Sequence, residues 1–194
     1  SHASPSYRYR RLSEVLDKPG KRSVDDHWAL QRDDTNVMAR EIAPVMAQAL
    51  LRHPETAELG KILEKWDFRE RADLAAPMIF HKIYERFALE VFRDELGEEL
   101  ARAMLGDWYF WQERLQRMVR EGESPWFDDQ RTPAKEGRDA LFLRAALAVI
   151  AEAKAAGAGD PAKWAWGERH RITFVSPLRR EGAGSAFLGG GAHP

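Results

Sequence analysis

Trp164-Ala165-Trp166-Gly167-Glu168-Arg169-His170 runs into Arg171-Ile172-Thr173-Phe174 and on to Ser176-Pro177-Leu178. Two tryptophans flank an alanine, and a glycine interrupts any helix begun before it. Ile172 and Phe174 then alternate with Thr173 and Val175, a period-two run, and Pro177 pushes the residue before it toward extended backbone. The stretch predicts a short strand, and it marks a change of texture. Ahead of it, the periodicity is helical for about 160 residues. A mainly helical body that ends in one strand raises the question of where that strand finds its hydrogen bonds. No second segment reads as a strong strand, so its sheet is expected to lie in polypeptide outside this chain. Burying Ile172 and Phe174 there would contribute roughly 1.5–3 kcal/mol each.

Working outward, the helical body resolves into segments. Arg8 to Leu16 is a short helix stopped by Pro19-Gly20. Ser23 reads as an N-cap, with Asp25 and Asp26 in the first turn where carboxylates meet the positive end of the helix dipole. Met38, Ile42, Val45 or Met46, and Ala49 keep helical spacing, with a kink or early turn expected at Pro44. His53-Pro54 closes that segment, and Glu55 to Trp66 is the next helix. Ile79, Ile83, Phe87 and Val91 recur every four residues, and Phe80, Tyr84 and Phe92 widen the stripe to that of a helix covered on more than one side. Trp108, Trp111, Leu115 and Met118 mark another amphipathic helix, and Glu136 to Ala156 a long alanine-rich one. Ile79, Ile83, Phe87, Val91, Trp111, Leu115, Leu141 and Val149 are predicted to share one core.

Composition removes several function classes. Thirty Lys and Arg against thirty-one Asp and Glu leave a net charge of −1, so no global field recruits nucleic acid or an anionic membrane. No apolar run approaches the roughly 18 residues of a membrane span. Cysteine is absent, which rules out a disulfide framework and a thiolate nucleophile. The six histidines, at 2, 27, 53, 81, 170 and 193, show no pairing at metal-ligand spacing. Asp25-Asp26, Asp33-Asp34 and Asp128-Asp129 are adjacent carboxylates that point apart on a helix, better suited to caps and turns than to acid–base dyads. There is no Gly-x-Ser-x-Gly elbow, and the glycines from 182 to 191 lack the Lys-Ser/Thr of a phosphate loop. The seven tryptophans, mostly at helical spacing, read as packing residues more readily than as a ligand cleft.

The Trp-x-Trp-Gly-x-x-His…Phe…Pro-Leu order of residues 164–178 resembles a signature near the end of the β chain of penicillin acylases. Four further segments resemble that family in the same order. They are Tyr7-Arg8-Tyr9-Arg10-Arg11-Leu12, Ser23-Val24-Asp25-Asp26 through Leu30-Gln31-Arg32-Asp33, Ile62-Leu63-Glu64-Lys65-Trp66-Asp67, and Trp126-Phe127-Asp128-Asp129 with Thr132-Pro133. Departures occur: Phe68 stands where the family has glycine, Phe127 replaces a cysteine, and Ser176 replaces a histidine. The resemblance implies the penicillin acylase (penicillin amidase) family of N-terminal nucleophile hydrolases, with this chain as a helical bundle-like segment of an αββα fold, from the middle to the late part of the β chain.

The resemblance also implies a chemistry. Members cleave themselves to expose a serine at the start of the β chain; its α-amine acts as base and an acyl-enzyme is hydrolysed. Backbone and asparagine donors hold the oxyanion. An arginine opening the first helix after that asparagine supports the site, and Arg8 matches its position, where a guanidinium orients the asparagine and stabilises nearby negative charge. Read without the resemblance, Arg8 is a solvated arginine in a basic run. Ser1 is not the nucleophile, because the segment after it matches the middle of the β chain. The implied partners are the rest of the acylase, its α chain and the N-terminal part of its β chain, and a small-molecule amide: a penicillin, a cephalosporin, an acyl-homoserine lactone or another N-acyl compound. The resemblance implies no cofactor in this segment and leaves room for calcium elsewhere in the parent, whose export to the periplasm or outside the cell it also suggests. Residues 1–6 read as a tag scar or disordered leader, 7–160 as the helical domain, and 161–194 as a strand and loop returning to the catalytic sheet. The chain lacks an initiator methionine and ends in Gly189-Gly190-Gly191-Ala192-His193-Pro194, so it reads as a fragment, with an unpaired strand edge prone to self-association. The competing reading is a stand-alone, non-catalytic helical interaction module.

Overall fold

A computed structural model describes residues 7–106, 108–174 and 186–189. The described chain is mainly α-helical. Its elements are α1 (Tyr7–Leu16), α2 (Val24–Gln31), α3 (Val37–Leu51), α4 (Ala57–Glu64), α5 (Ala75–Leu96), α6 (Glu98–Leu105), α7 (Trp108–Glu121), α8 (Arg138–Ala155), α9 (Trp166–Arg169), β1 (Arg171–Phe174) and β2 (Ala186–Gly189).

Local chemistry sets the helix starts. Ser23 caps α2 in a full capping box: its hydroxyl accepts from the Asp26 amide, and the Asp26 carboxylate accepts from the Ser23 amide at 2.7 Å. Asn36 caps α3 through the Ala39 amide at 2.8 Å. Pro44 does not end α3. It lies inside the helix on its exposed side, where the missing backbone hydrogen bond and the pyrrolidine ring meet solvent instead of the core. α6 was not evident from sequence: Gly97 ends α5 and a second, eight-residue helix follows at once, with only Ala101 buried. α4 lies tight against the end of α3, because a Cβ at Gly60 would fall 2.9 Å from Leu51 Cγ.

All eight residues predicted to share a core do so, each at most 5% exposed. α5 is the centre, packed by α4, α6 and α8, with Phe87 stacked on Phe142 at 4.1 Å and tilted against Phe127 at 6.0 Å. The tryptophans divide. Trp66, Trp111 and Trp166 are buried and Trp164 is packed against the core, whereas Trp28 and Trp126 are exposed. The side chain of Trp108 lies outside the described residues.

The strand expectation needs correction. β1 does not lack a partner: β2 pairs with it antiparallel, with Ile172 opposite Leu188 and Thr173 opposite Phe187. Ala186-Phe187-Leu188-Gly189 is four residues long and set among glycines, so on its own it carries no strand signal; pairing with β1 supplies one. Ser1, Val175 and Ser176-Pro177-Leu178 lie outside the described residues, as do the side chains of Ile172 and Phe174.

Phe68 has φ of 61°, the left-handed region that favours glycine, and this is the position where the resembling family carries glycine. Its ring lies 5.7 Å from that of Trp66, and its carbonyl accepts from the Asn36 amide at 2.8 Å. Phe68→Gly is expected to be more stable than Phe68→Ala by about 1–2 kcal/mol in urea unfolding, since both lose the ring and only glycine relieves the backbone. Phe87→Ala is expected to cost about 3–5 kcal/mol by the same measurement. An unchanged unfolding midpoint would remove Phe87 from the core.

Candidate functional site

The Trp-Ala-Trp-Gly stretch docks onto the loop before α5. The Trp166 amide donates to Leu74 O at 3.0 Å and the Gly167 amide to Ala72 O at 2.8 Å. A Cβ at Gly167 would fall 2.7 Å from Ala72 Cβ, so only glycine permits this approach. The Trp166 indole then lies between two imidazoles, stacked on His81 at 4.7 Å and on His170 at 4.3 Å. His81 continues the chain of contacts by placing Nε2 2.5 Å from Glu70 Oε1, which also accepts from Asn36 Nδ2 at 2.7 Å. Burial alone would raise the Glu70 carboxyl. The His81 and Asn36 hydrogen bonds, with the charges of His81 and His170, outweigh burial and hold it below its ordinary value. The arrangement binds the tail to the body; a nucleophile is not among its members.

The adjacent carboxylates divide their tasks as their geometry requires. Asp26 serves the α2 cap, Asp33 takes Arg11 of α1 at 2.5 Å, and Asp34 takes Arg69 at 2.6 Å. Asp129, nearly buried, binds Arg131 at 2.8 Å and Arg144 at 3.2 Å, while Asp128 accepts from the Glu136 amide at 2.9 Å. Arg131 and Arg144 hold the Asp129 carboxyl far below the usual range, so it is a fixed anion and a poor proton shuttle. Phe127, beside them, fills core space. Among the described residues no three His, Asp or Glu side chains gather into a metal-binding group.

Arg8 opens α1 and is exposed, with no hydrogen bond or ion pair to another described residue. Its neighbours are held. Tyr7 O–H donates to Gln116 Oε1, Gln116 Nε2 donates to Glu41 Oε2, and Arg10 binds Glu41 Oε1. Tyr7 and Arg10, one turn apart, thereby close a ring through α7 and α3 that fixes the first turn of α1. Burial and the Glu41 charge push the Tyr7 phenol well up, so it remains a donor. Of the three arginines in that turn, Arg10 and Arg11 are spent on ion pairs with Glu41 and Asp33, and Arg8 is left presented outward. Its exposure and lack of a described partner leave no signal in the sequence; only the fold distinguishes it from the other two. A cleft of about 380 Å³ lies between α5, α6, α7 and α8 over Tyr84 and Trp111. It gathers no nucleophile–base pair among the described residues.

The Glu70 contacts carry a pH dependence. The folded carboxyl titrates below its ordinary 4.5, so its contribution is present above that pH and is lost as pH falls through the folded value. Glu70→Gln is expected to cost about 1–3 kcal/mol at pH 7. The gap to the unsubstituted chain should narrow as the pH falls below the ordinary carboxyl value of 4.5 and through the lower folded one. A gap constant across that range would show that Glu70 is not held as an anion.

With this geometry in place, the comparisons agree with the signatures. The penicillin amidase family model matches residues 1–194. An acyl-homoserine lactone acylase QuiP of Pseudomonas fluorescens (strain Pf0-1) is 31% identical over 210 residues, covering 98% of this chain and 25% of that protein. QuiP of Pseudomonas syringae pv. tomato is 27% identical over 200 residues, covering 93% of this chain and 24% of that protein. QuiP of Pseudomonas aeruginosa is 24% identical over 207 residues, covering 95% and 24% respectively. The chain thus spans about a quarter of the length of the curated relatives it matches. The match runs through every signature segment described above, and the chain belongs to the penicillin amidase family.

Proposed function

We propose that this chain is the helical segment of a larger acylase that hydrolyses linear N-acyl amides, with acyl-homoserine lactones as the substrate class. The observation that carries the reading is the family match over residues 1–194, joined by relatives whose names specify acyl-homoserine lactone acylases. In the complete enzyme an N-terminal serine outside this chain attacks the amide carbonyl, and its hydroxyl proton passes to its own α-amine. The carbon–nitrogen bond breaks, the nitrogen takes that proton, and the amine leaves. Water then hydrolyses the ester to the free acid. Arg8 supports the step: presented outward on a turn fixed by Tyr7 and Arg10, its guanidinium binds and orients the carbonyl of the oxyanion-holding asparagine.

A non-catalytic helical module retains one observation in its favour, the pairing of β1 within the chain itself. Activity separates the two. This polypeptide alone should hydrolyse an N-acyl-homoserine lactone or a phenylacetyl anilide only at the uncatalysed rate, while the complete protein turns over. In the complete protein, Arg8→Ala should lower kcat by about 10–100-fold with Arg8→Lys intermediate, since a positioned charge acts on the transition state. Turnover by the isolated chain that disappears on Ser1→Ala would overturn the assignment, and an inactive complete protein would favour the module.

A further inference from the structure

The outward faces of α1 and α2 are apolar, and no other described residue covers them. Seven large hydrophobic side chains are exposed among the described residues, and five of them fall here: Tyr9, Leu12 and Leu16 on α1, Val24 and Trp28 on α2. On α1 the spacing i, i+3, i+7 puts them in one stripe; on α2 the spacing i, i+4 does the same. Neither helix buries a single residue. Scattered exposed hydrophobics are ordinary, but two adjoining helices that expose their apolar stripes mark a binding surface.

The energetics of α2 sharpen the point. A helix of eight residues is well under the roughly 12–15 that are marginal alone in water, so packing must hold it. Yet Val24 is 73% and Trp28 55% exposed, and a capping box contributes only about 1 kcal/mol. The inner faces are already committed. Arg11, Val15, Ala29 and Leu30 line the groove between the two helices, Arg11 is paired with Asp33, and Tyr7 and Arg10 are tied to α7 and α3. The stripes therefore lie on the side away from that groove. Arg8, exposed and without a partner among the described residues, sits one turn before Leu12 at the edge of the α1 stripe.

We infer that the outward face of α1 and α2 is the seat of acylase polypeptide lying outside this chain, a surface that is apolar at its centre and presents a carboxylate or carbonyl oxygen to Arg8. The inference rests on the reading of this chain as part of a larger acylase. Two observations choose this occupant. The relatives are about four times as long as the segment matched here, so a large body of polypeptide must find surfaces to pack on. The lone guanidinium at the patch edge also calls for an acceptor, which a second copy offering the same cation would not place there.

Hydrogen exchange on the isolated 194-residue chain and on the complete acylase tests this. Amides of residues 24–31 should exchange at least about 100-fold more slowly in the complete protein, while α5 amides, buried in both, serve as the internal standard. Equal, fast exchange of 24–31 in both samples would overturn the inference. So would protection in the isolated chain that rises with its concentration to the level of the complete protein, since the occupant would then be a second copy. In the complete protein, Leu12→Asp with Trp28→Glu should abolish that extra protection. Leu100→Glu, on the exposed face of α6, should leave it intact, and circular dichroism of the isolated chain confirms folding in each case. Protection retained by the double variant would also overturn the inference. Acyl-homoserine lactone turnover read on the same samples separates the two proposals: protected α2 without turnover sinks the acylase reading alone, and turnover with unprotected α2 sinks the docking surface alone.

Discussion

Ile79, Phe80, Ile83, Tyr84, Phe87 and Val91 are buried together on one 22-residue helix, and a helix so wide in its apolar stripe has to be covered from several directions at once. α4, α6 and α8 supply that cover. The small residues Ala145 and Ala146 of α8 are buried and allow the larger side chains of α5 to enter. The aromatic contacts of Phe87 with Phe142 and Phe127 then bind the 3₁₀ turn at Pro125–Phe127 to the same centre. The remaining elements take their positions from this packed helix.

Charge is used to attach what the core cannot reach. α1 and the loop after α2 are fastened by Arg11 to Asp33, by Arg10 to Glu41 and by Arg40 to Glu14. Exposed pairs of this type are individually worth about 0–1 kcal/mol, so they set orientation more than stability. The tail uses a different device. Trp166 is clamped between imidazoles while its backbone and that of Gly167 bond to the 72–74 loop, so one indole and one glycine locate α9 against the body. The Trp-x-Trp-Gly signature is thus explained by docking.

That division bears on function. Family signatures in this chain are mostly structural: Trp126-Phe127-Asp128-Asp129 is a core residue with a charge network, and Trp66-Asp67 a ring and a turn. A family can be recognised through such residues because packing constrains them as strictly as catalysis does. The position to which we propose a supporting role is Arg8, which the ring that binds its neighbours leaves facing outward.

The α2 cap and the core stripe were legible in the sequence because each is written within a few residues: Ser23 with Asp25 and Asp26, Ile79 with Ile83 and Phe87. The order of the signature segments likewise sufficed to identify the family. Tertiary structure alone decided the rest. Ala186-Phe187-Leu188-Gly189 becomes a strand only because β1 lies beside it, Phe68 takes a left-handed backbone because the Asn36 amide and the Trp66 ring hold it there, and α6 forms against α5 and α7. Which tryptophans are buried and which arginine is presented outward follow from contacts between residues up to about a hundred positions apart, Tyr7 to Gln116 among them. A local pattern can state that a face is apolar; only the fold determines whether anything in the chain covers it.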